Sequence, residues 1–227
     1  AQARASEQRL ASGLPVGLLE GVPLALKDLL HIEGRRTTAG STVFADRAPS
    51  ELTSTVAARL MGAGAVVLGK ANLVEFAYGG WGTNQGLRSP VNPWDGAVER
   101  CVGGSSSGSG VAVSAGLAAG AIGTDTGGSV RIPSAFCGLT GLKTTQGRVS
   151  NFGVELVSHT LDTVGPMAWT AEDAALLLQA MHGPDAHDPA TLTHPPEDNL
   201  WQVGDVVAYR CSDCLDRWDL VLAPLGE

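Results

Sequence analysis

The sequence predicts an α/β layered fold, on three observations. Short continuous apolar runs at residues 22–26 and 65–68 have the character of buried strands. Segments with apolar residues at helical spacing, such as 53–61 and 170–181, alternate with such runs, as layered α/β chains do. The 227 residues are 44% hydrophobic, enough for one sizeable buried core or two small ones.

Taken in order, residues 3–11 have helix-forming composition, ended by Gly13-Leu14-Pro15. Residues 22–26 read as a strand with Lys27 and Asp28 at its far end. Over 53–61, Val56, Ala57, Leu60 and Met61 share a helical face, and Gly62-Ala63-Gly64 stops the helix before a buried strand at 65–68. Residues 72–78 read as a short helix and 79–95 as a long irregular connection; 107–122 should hold a helix and a short extended segment. A basic turn with Lys143 and Arg148 leads into an irregular stretch that reaches Pro166. Thr170-Ala171-Glu172-Asp173 opens the helix at 170–181 in the manner of a capping box. Residues 183–199, with four prolines and two histidines, read as a loop, and the tail has two short apolar runs, 203–209 and 220–223. The expected division is a core over 1–182, a Pro-rich loop or deletion junction at 183–200 and a C-terminal segment, 201–227, that returns to the core.

Fifteen Lys and Arg against 23 Asp and Glu leave a net charge of −8 and a pI near 5.0. Nucleic acids and anionic membranes need a concentrated positive surface, so neither is an expected partner. The longest nearly uncharged stretch, 102–130, is interrupted by nine glycines and six serines, and no membrane span is expected. Cys101, Cys137, Cys211 and Cys214 are too few for a disulfide framework in a chain of this size, which points to a reducing compartment. The start, Ala1-Gln2-Ala3-Arg4, lacks an initiator Met and a signal peptide, so a cytoplasmic protein trimmed at its start is expected.

Chemistry concentrates in Gly103-Gly104-Ser105-Ser106-Ser107-Gly108-Ser109-Gly110 and Gly123-Thr124-Asp125-Thr126-Gly127-Gly128-Ser129-Val130-Arg131-Ile132-Pro133. Glycine lets backbone N–H groups approach a ligand closely, so a Gly-Gly before a serine can form an oxyanion hole beside a nucleophile. Gly-Ser runs are also flexible linkers, but linkers are not joined by an apolar segment such as 111–122. A serine nucleophile needs a base. Of His31, His159, His182, His187 and His194, none lies in a segment that reads as rigid scaffold. Lys27 ends an apolar strand, where desolvation would keep its amine neutral. Asp125 and Arg131 flank the second loop with opposite charges and are expected to pair and fix its shape; Ser106 is expected to hydrogen-bond within the first loop.

Four other patterns carry less. Residues 64–71 have phosphate-loop spacing, but strand formers fill the middle and Ala71 lacks the hydroxyl for magnesium. Gly104-Ser105-Ser106-Ser107-Gly108 matches a nucleophile elbow with Ser106 at its centre and Asp185 with His187 or His194 downstream, which would leave Lys27 and Ser129 unused. Cys211-Ser212-Asp213-Cys214 has no second pair to complete a metal site, and Cys137 reads as a small core residue. Trp81 and Trp94 are candidates for lining a substrate funnel, with packing as the default.

Together with Gly21-Val22-Pro23-Leu24-Ala25-Leu26-Lys27-Asp28, the two serine loops resemble the amidase signature family. Further matches are Thr38-Ala39-Gly40-Ser41, Glu75-Phe76-Ala77, Asn92-Pro93-Trp94, Gly147-Arg148-Val149-Ser150 and Leu161-Asp162-Thr163-Val164-Gly165-Pro166-Met167, a resemblance over residues 17–181. It implies a mixed β-sheet core flanked by helices on both faces, here incomplete. It also implies a Ser-cisSer-Lys triad of Ser129 as nucleophile, Ser105 as the serine after a cis peptide and Lys27 as base. Thr126, Gly127, Gly128 and Ser129 would supply oxyanion N–H groups, with neither metal nor organic cofactor. The implied activity is hydrolysis of a small carboxylic amide; a subunit that passes ammonia to a partner and a catalytically silent interaction module are the alternatives. Family members are longer, and a block between 184 and 201 is expected to be missing, exposing apolar surface that a homodimer or a partner subunit would cover.

Overall fold

The computed structural model describes residues 1–13 and 16–193 and the two-residue strands at 208–209 and 220–221. Its framework is one mixed sheet in the order β2-β1-β3-β5-β4, continued by the two short strands. Strand β1 (Pro23–Lys27) pairs in parallel with β2 (Val66–Ala71) on one side and β3 (Gly120–Asp125) on the other. Strand β5 (Thr163–Ala168) runs antiparallel to β3 and to the two-residue β4 (Thr140–Gly141). Beyond β4 lie β6 (Ala208–Tyr209) and β7 (Leu220–Val221), both antiparallel. The rest of the expected C-terminal segment, with Cys211 and Cys214, and His194 of the expected Pro-rich loop lie outside the described residues.

Helices cover both faces. On one, α2 (Thr55–Gly62) and α5 (Ala171–Met181) place Val56, Leu60, Leu177 and Met181 against Leu24, Leu26, Ile122 and Val164. On the other, Ala25 and Ala121 meet Val113 of α3 (Ser107–Ser114) and Cys137 of α4 (Arg131–Cys137). Side chains alternate along a strand, so β1 sends Leu24 and Leu26 to the first face and Ala25 and Lys27 to the second. That alternation delivers the lysine to the α3 side, where the serine loops lie.

Three expected elements differ from the structure. Strand β2 extends to Ala71 and is an edge strand, with Leu68 55% exposed, instead of a buried one. Helix α1 (Gln2–Ser12) crosses this edge, and the Gln2 side chain accepts a hydrogen bond from Val67 N–H at 3.1 Å. The helix expected at 72–78 shrinks to one 3₁₀ turn, Glu75–Ala77, because Phe76 and Ala77 have φ of 50° and 57°. The stretch read as irregular up to Pro166 contains β5. Proline is unusual in a central strand, but its carbonyl accepts from Leu142 N–H at 3.1 Å, so the missing donor falls toward the end of the short β4 and costs no bond to β3. Helix α4 was not anticipated; Pro133 sits in its first turn, where an N–H has no intrahelical partner.

Local chemistry fixes the helix ends. The Ser54 hydroxyl accepts from Ala57 N–H, and the Thr170 hydroxyl accepts from Asp173 N–H at 3.1 Å. Glu172 and Asp173 also face the positive end of the α5 dipole. Thr170→Ala should therefore lower the unfolding free energy by about 1 kcal/mol, measured by urea denaturation.

Candidate active site

The site is built where β1 and β3 end beside α3. Lys27 is completely buried, and its Nζ donates to Ser105 Oγ at 2.9 Å, to Thr124 Oγ1 at 2.7 Å and, more weakly, to the Thr124 carbonyl at 3.4 Å. Ser105 is also fully buried, and the Gly104–Ser105 peptide is cis. Its backbone is fixed on both sides: Val74 N–H donates to the Ser105 carbonyl at 3.1 Å and Gly104 N–H to the Gly80 carbonyl at 2.7 Å. A Cβ on Gly104 would lie 2.7 Å from that neighbouring segment, at the Gly79 oxygen, so only glycine permits the approach.

The second serine loop is tied to the first through the backbone, where Ser106 N–H donates to the Ser129 carbonyl at 3.2 Å. The Ser129 side chain is partly exposed, and its hydroxyl makes no hydrogen bond to another described residue. Lys27 and Ser105 are thus in direct contact, whereas Ser129 joins them through its main chain. Ser106 Oγ donates to the Thr124 carbonyl and accepts from its N–H, both at 3.3 Å, which pins the start of α3 to β3.

Asp125 shapes the second serine loop. It accepts from Arg131 Nε at 3.0 Å and Nη2 at 2.9 Å, and from the N–H groups of Gly128, Val130 and Arg131 at 2.8, 3.1 and 3.3 Å. Burial alone would raise the carboxyl pKa, but these donors outweigh it and hold the group below its ordinary value. One expectation changes as a result: Gly128 N–H points inward at Asp125, which leaves Thr126, Gly127 and Ser129 of the four expected oxyanion donors. Gly128 has φ of 126°, and a Cβ there would lie 2.7 Å from Ile132 Cδ1.

Electrostatics favour a neutral amine. Burial lowers the Lys27 pKa to about 7, while the charges of Asp125 and Asp162 act against burial. Thr124 and Asp162 were missed as contributors in the sequence. Both stand inside matched motifs, Thr124 in Gly123 to Pro133 and Asp162 in Leu161 to Met167, but the action of Asp162 on Lys27 crosses a strand pairing that no local pattern reveals. Cys137 is buried in the core, and burial pushes its thiol up to about 11, far from a thiolate nucleophile.

The competing motifs do not assemble. Residues 66–71 of the phosphate-loop pattern form β2, with Lys70 Nζ 2.7 Å from Asp28 Oδ1. Asp185 accepts from Thr55 Oγ1 at 2.5 Å and Ser150 Oγ at 2.6 Å and pairs with His187, while Ser106 is engaged by Thr124. Trp81 lines a cavity of about 560 Å³ with Gly82, Arg88 and Cys101. Trp94 lines an adjacent apolar one of about 580 Å³ with Phe136, and donates Nε1–H to the Cys137 carbonyl at 2.7 Å. Among the described residues there is no cluster that could hold a metal ion, and no helix is long and apolar enough to cross a membrane.

The buried lysine has a measurable signature. Between pH 7 and the ordinary lysine value of 10.5, the unfolded chain holds a proton that folded Lys27 gives up, so this group adds stability as pH rises. Cys137 acts in the opposite sense above pH 9, its free value. The unfolding free energy of the wild type relative to Lys27→Met should accordingly grow with pH above 7, at a slope approaching about 1.4 kcal/mol per pH unit between pH 8 and 9; a flat difference in urea titrations would mean a charged lysine in the folded state.

Comparison with known proteins gives a consistent result. The family model described as Amidase matches residues 1–205. The A subunit of the glutamyl-tRNA(Gln) amidotransferase from Cyanothece sp. is 47% identical over 198 residues, which is 87% of this chain and 40% of that protein. A putative amidase, AmiD, from Mycobacterium tuberculosis is also 47% identical over 198 residues, 87% of this chain and 41% of that protein. The native peptide amidase from Stenotrophomonas maltophilia superposes with a TM-score of 0.79 at 42% identity, over 86% of this chain and 40% of that chain. The chain spans about two fifths of the length of the curated relatives it matches.

Proposed function

The chain belongs to the amidase family, matched over residues 1–205, and from that premise we propose that it carries the Ser-cisSer-Lys machinery of an amide hydrolase, with Ser129 as nucleophile, Ser105 as proton shuttle and Lys27 as base. One observation supports the reading above others: a lysine without solvent exposure, its pKa near 7, stands 2.9 Å from the Ser105 hydroxyl. Lysine is useful as a base only when neutral, and this environment supplies that state at physiological pH.

In the proposed reaction, Lys27 takes the Ser105 proton as Ser105 takes that of Ser129, and Ser129 Oγ attacks the amide carbon. The oxyanion is held by N–H groups among Thr126, Gly127 and Ser129, while Asp125 holds the loop in shape through Gly128 N–H and Arg131. Collapse returns the relayed proton to the leaving nitrogen and releases ammonia or an amine. Water then hydrolyses the Ser129 ester by the same relay, so that amide and water give acid and amine. Sparse cysteine use suits a reducing, cytoplasmic setting.

A second reading has its own support, since a relative described as the A subunit of an amidotransferase matches as well as a putative amidase does, each at 47%. In that case the chain belongs to a subunit that passes ammonia to a partner. Ammonia release from simple alkyl and aryl amides by the isolated protein favours the hydrolase; release confined to glutamine and dependent on a co-purifying subunit favours the transfer role.

Ser129→Ala and Lys27→Ala should each reduce ammonia release by about a thousandfold or more while the far-UV dichroism stays unchanged. The pH profile of kcat/KM should rise through a midpoint near 7, because the base works only after losing its proton. Turnover that survives either substitution would refute the relay.

A further inference from the structure

Asp162 sits just before β5 and is 2% exposed. The antiparallel register sets Asp125 opposite Thr163, so Thr126 and Asp162 face one another one step further along. There the Thr126 hydroxyl donates to Asp162 Oδ1 in a short hydrogen bond, and Val157 N–H donates to Oδ2 at 2.7 Å. Asn151 Nδ2 donates to the Asp162 carbonyl at 2.9 Å, and Asp162 N–H to Ser158 O at 3.0 Å, so the residue is held on every side. No ion pair to Asp162 forms among the described residues. This sets it apart from Asp125, whose charge is matched by Arg131.

We propose that Asp162 is a positioning residue that joins the two halves of the machinery, aiming the first residue of the nucleophile loop through the Thr126 hydroxyl while its charge acts on the Lys27 amine. The proposal rests on the relay assigned above to Lys27, Ser105 and Ser129 and adds what orients and tunes it. Two links carry it. Thr126 lies two residues from Thr124, whose hydroxyl is 2.7 Å from Lys27 Nζ, and the carboxylate that Thr126 contacts opposes the loss of charge at Lys27 without touching it. Of the two carboxylates that act on Lys27, Asp125 from β3 is already paired with Arg131 from α4. Both carboxylates therefore oppose the loss of charge at the amine, Asp125 more strongly, and Asp162 does so with no cation paired to it among the described residues.

The test is the second-order rate at which a fluorophosphonate labels Ser129 in the whole chain, followed by intact mass from pH 5.5 to 9.5, with folding checked by circular dichroism. Asp162→Asn should label about tenfold or more slowly at its plateau. Its acid midpoint should move down by about half a pH unit, since a negative charge facing the base is lost. Thr126→Val should lose rate to a similar degree with the wild-type midpoint, because it removes the hydrogen bond and keeps the charge. Asp162→Glu keeps the charge and displaces the contact, and should behave like Thr126→Val; it supplies the comparison if Asp162→Asn does not fold. A shifted midpoint in Thr126→Val or Asp162→Glu, or wild-type rate and midpoint in Asp162→Asn, overturns the proposal. Wild-type protein that fails to label, or labels equally as Ser129→Ala, refutes the relay itself, which keeps the two failures apart.

Discussion

A single desolvated amine organises this molecule. Lys27 is fully buried with hydroxyls and a carbonyl around its Nζ and two carboxylates near enough to oppose its loss of charge. A lysine in such a place is tolerable only neutral or closely compensated, and the protein sets it near the balance point, at about 7. Much of the surrounding architecture follows from keeping that balance. Strand β1 lies between β2 and β3, which shields the lysine from both sides of the sheet, and α3 and α4 close the face to which its side chain turns.

The same elements bring the serine loops to the amine. The Gly104–Ser105 backbone is clamped between Val74 and Gly80, and Ser106 is stapled to Thr124 and Ser129, so two stretches separated by residues 111–122 act as one body. Asp125 does for the second serine loop what those clamps do for Ser105: five donors converge on one carboxylate and spend the Gly128 amide in doing so. Stiffness of this kind suits a centre whose reacting groups must meet within a few tenths of an ångström.

How far the sequence could be read depended on whether a feature was local. Lys27 at the end of an apolar run, a serine after two glycines and the Asp125–Arg131 pair are visible in composition and short spacing, whereas the meeting of Lys27 with Ser105, present in the structure, is implied only by the family resemblance. Strand β5 was hidden by Gly165-Pro166, which reads as irregular until the end of β4 is known. Helix α4 was hidden by Pro133, and β2 was read as buried because its valines and leucine look the same at an edge as at a centre. The Thr126–Asp162 contact spans 36 residues and depends on the β3–β5 register, so no window along the chain contains it. Such a role becomes legible only when strands are paired.

The hydrogen bond from Val67 N–H to the Gln2 side chain bears on how these molecules behave in a crowd. A bare outer strand offers a ladder on which a neighbouring molecule can build, the first step toward fibrous aggregates. With α1 lying across β2 and one rung already taken, that template is blunted, and backbone-mediated stacking of one copy on another along this border is disfavoured.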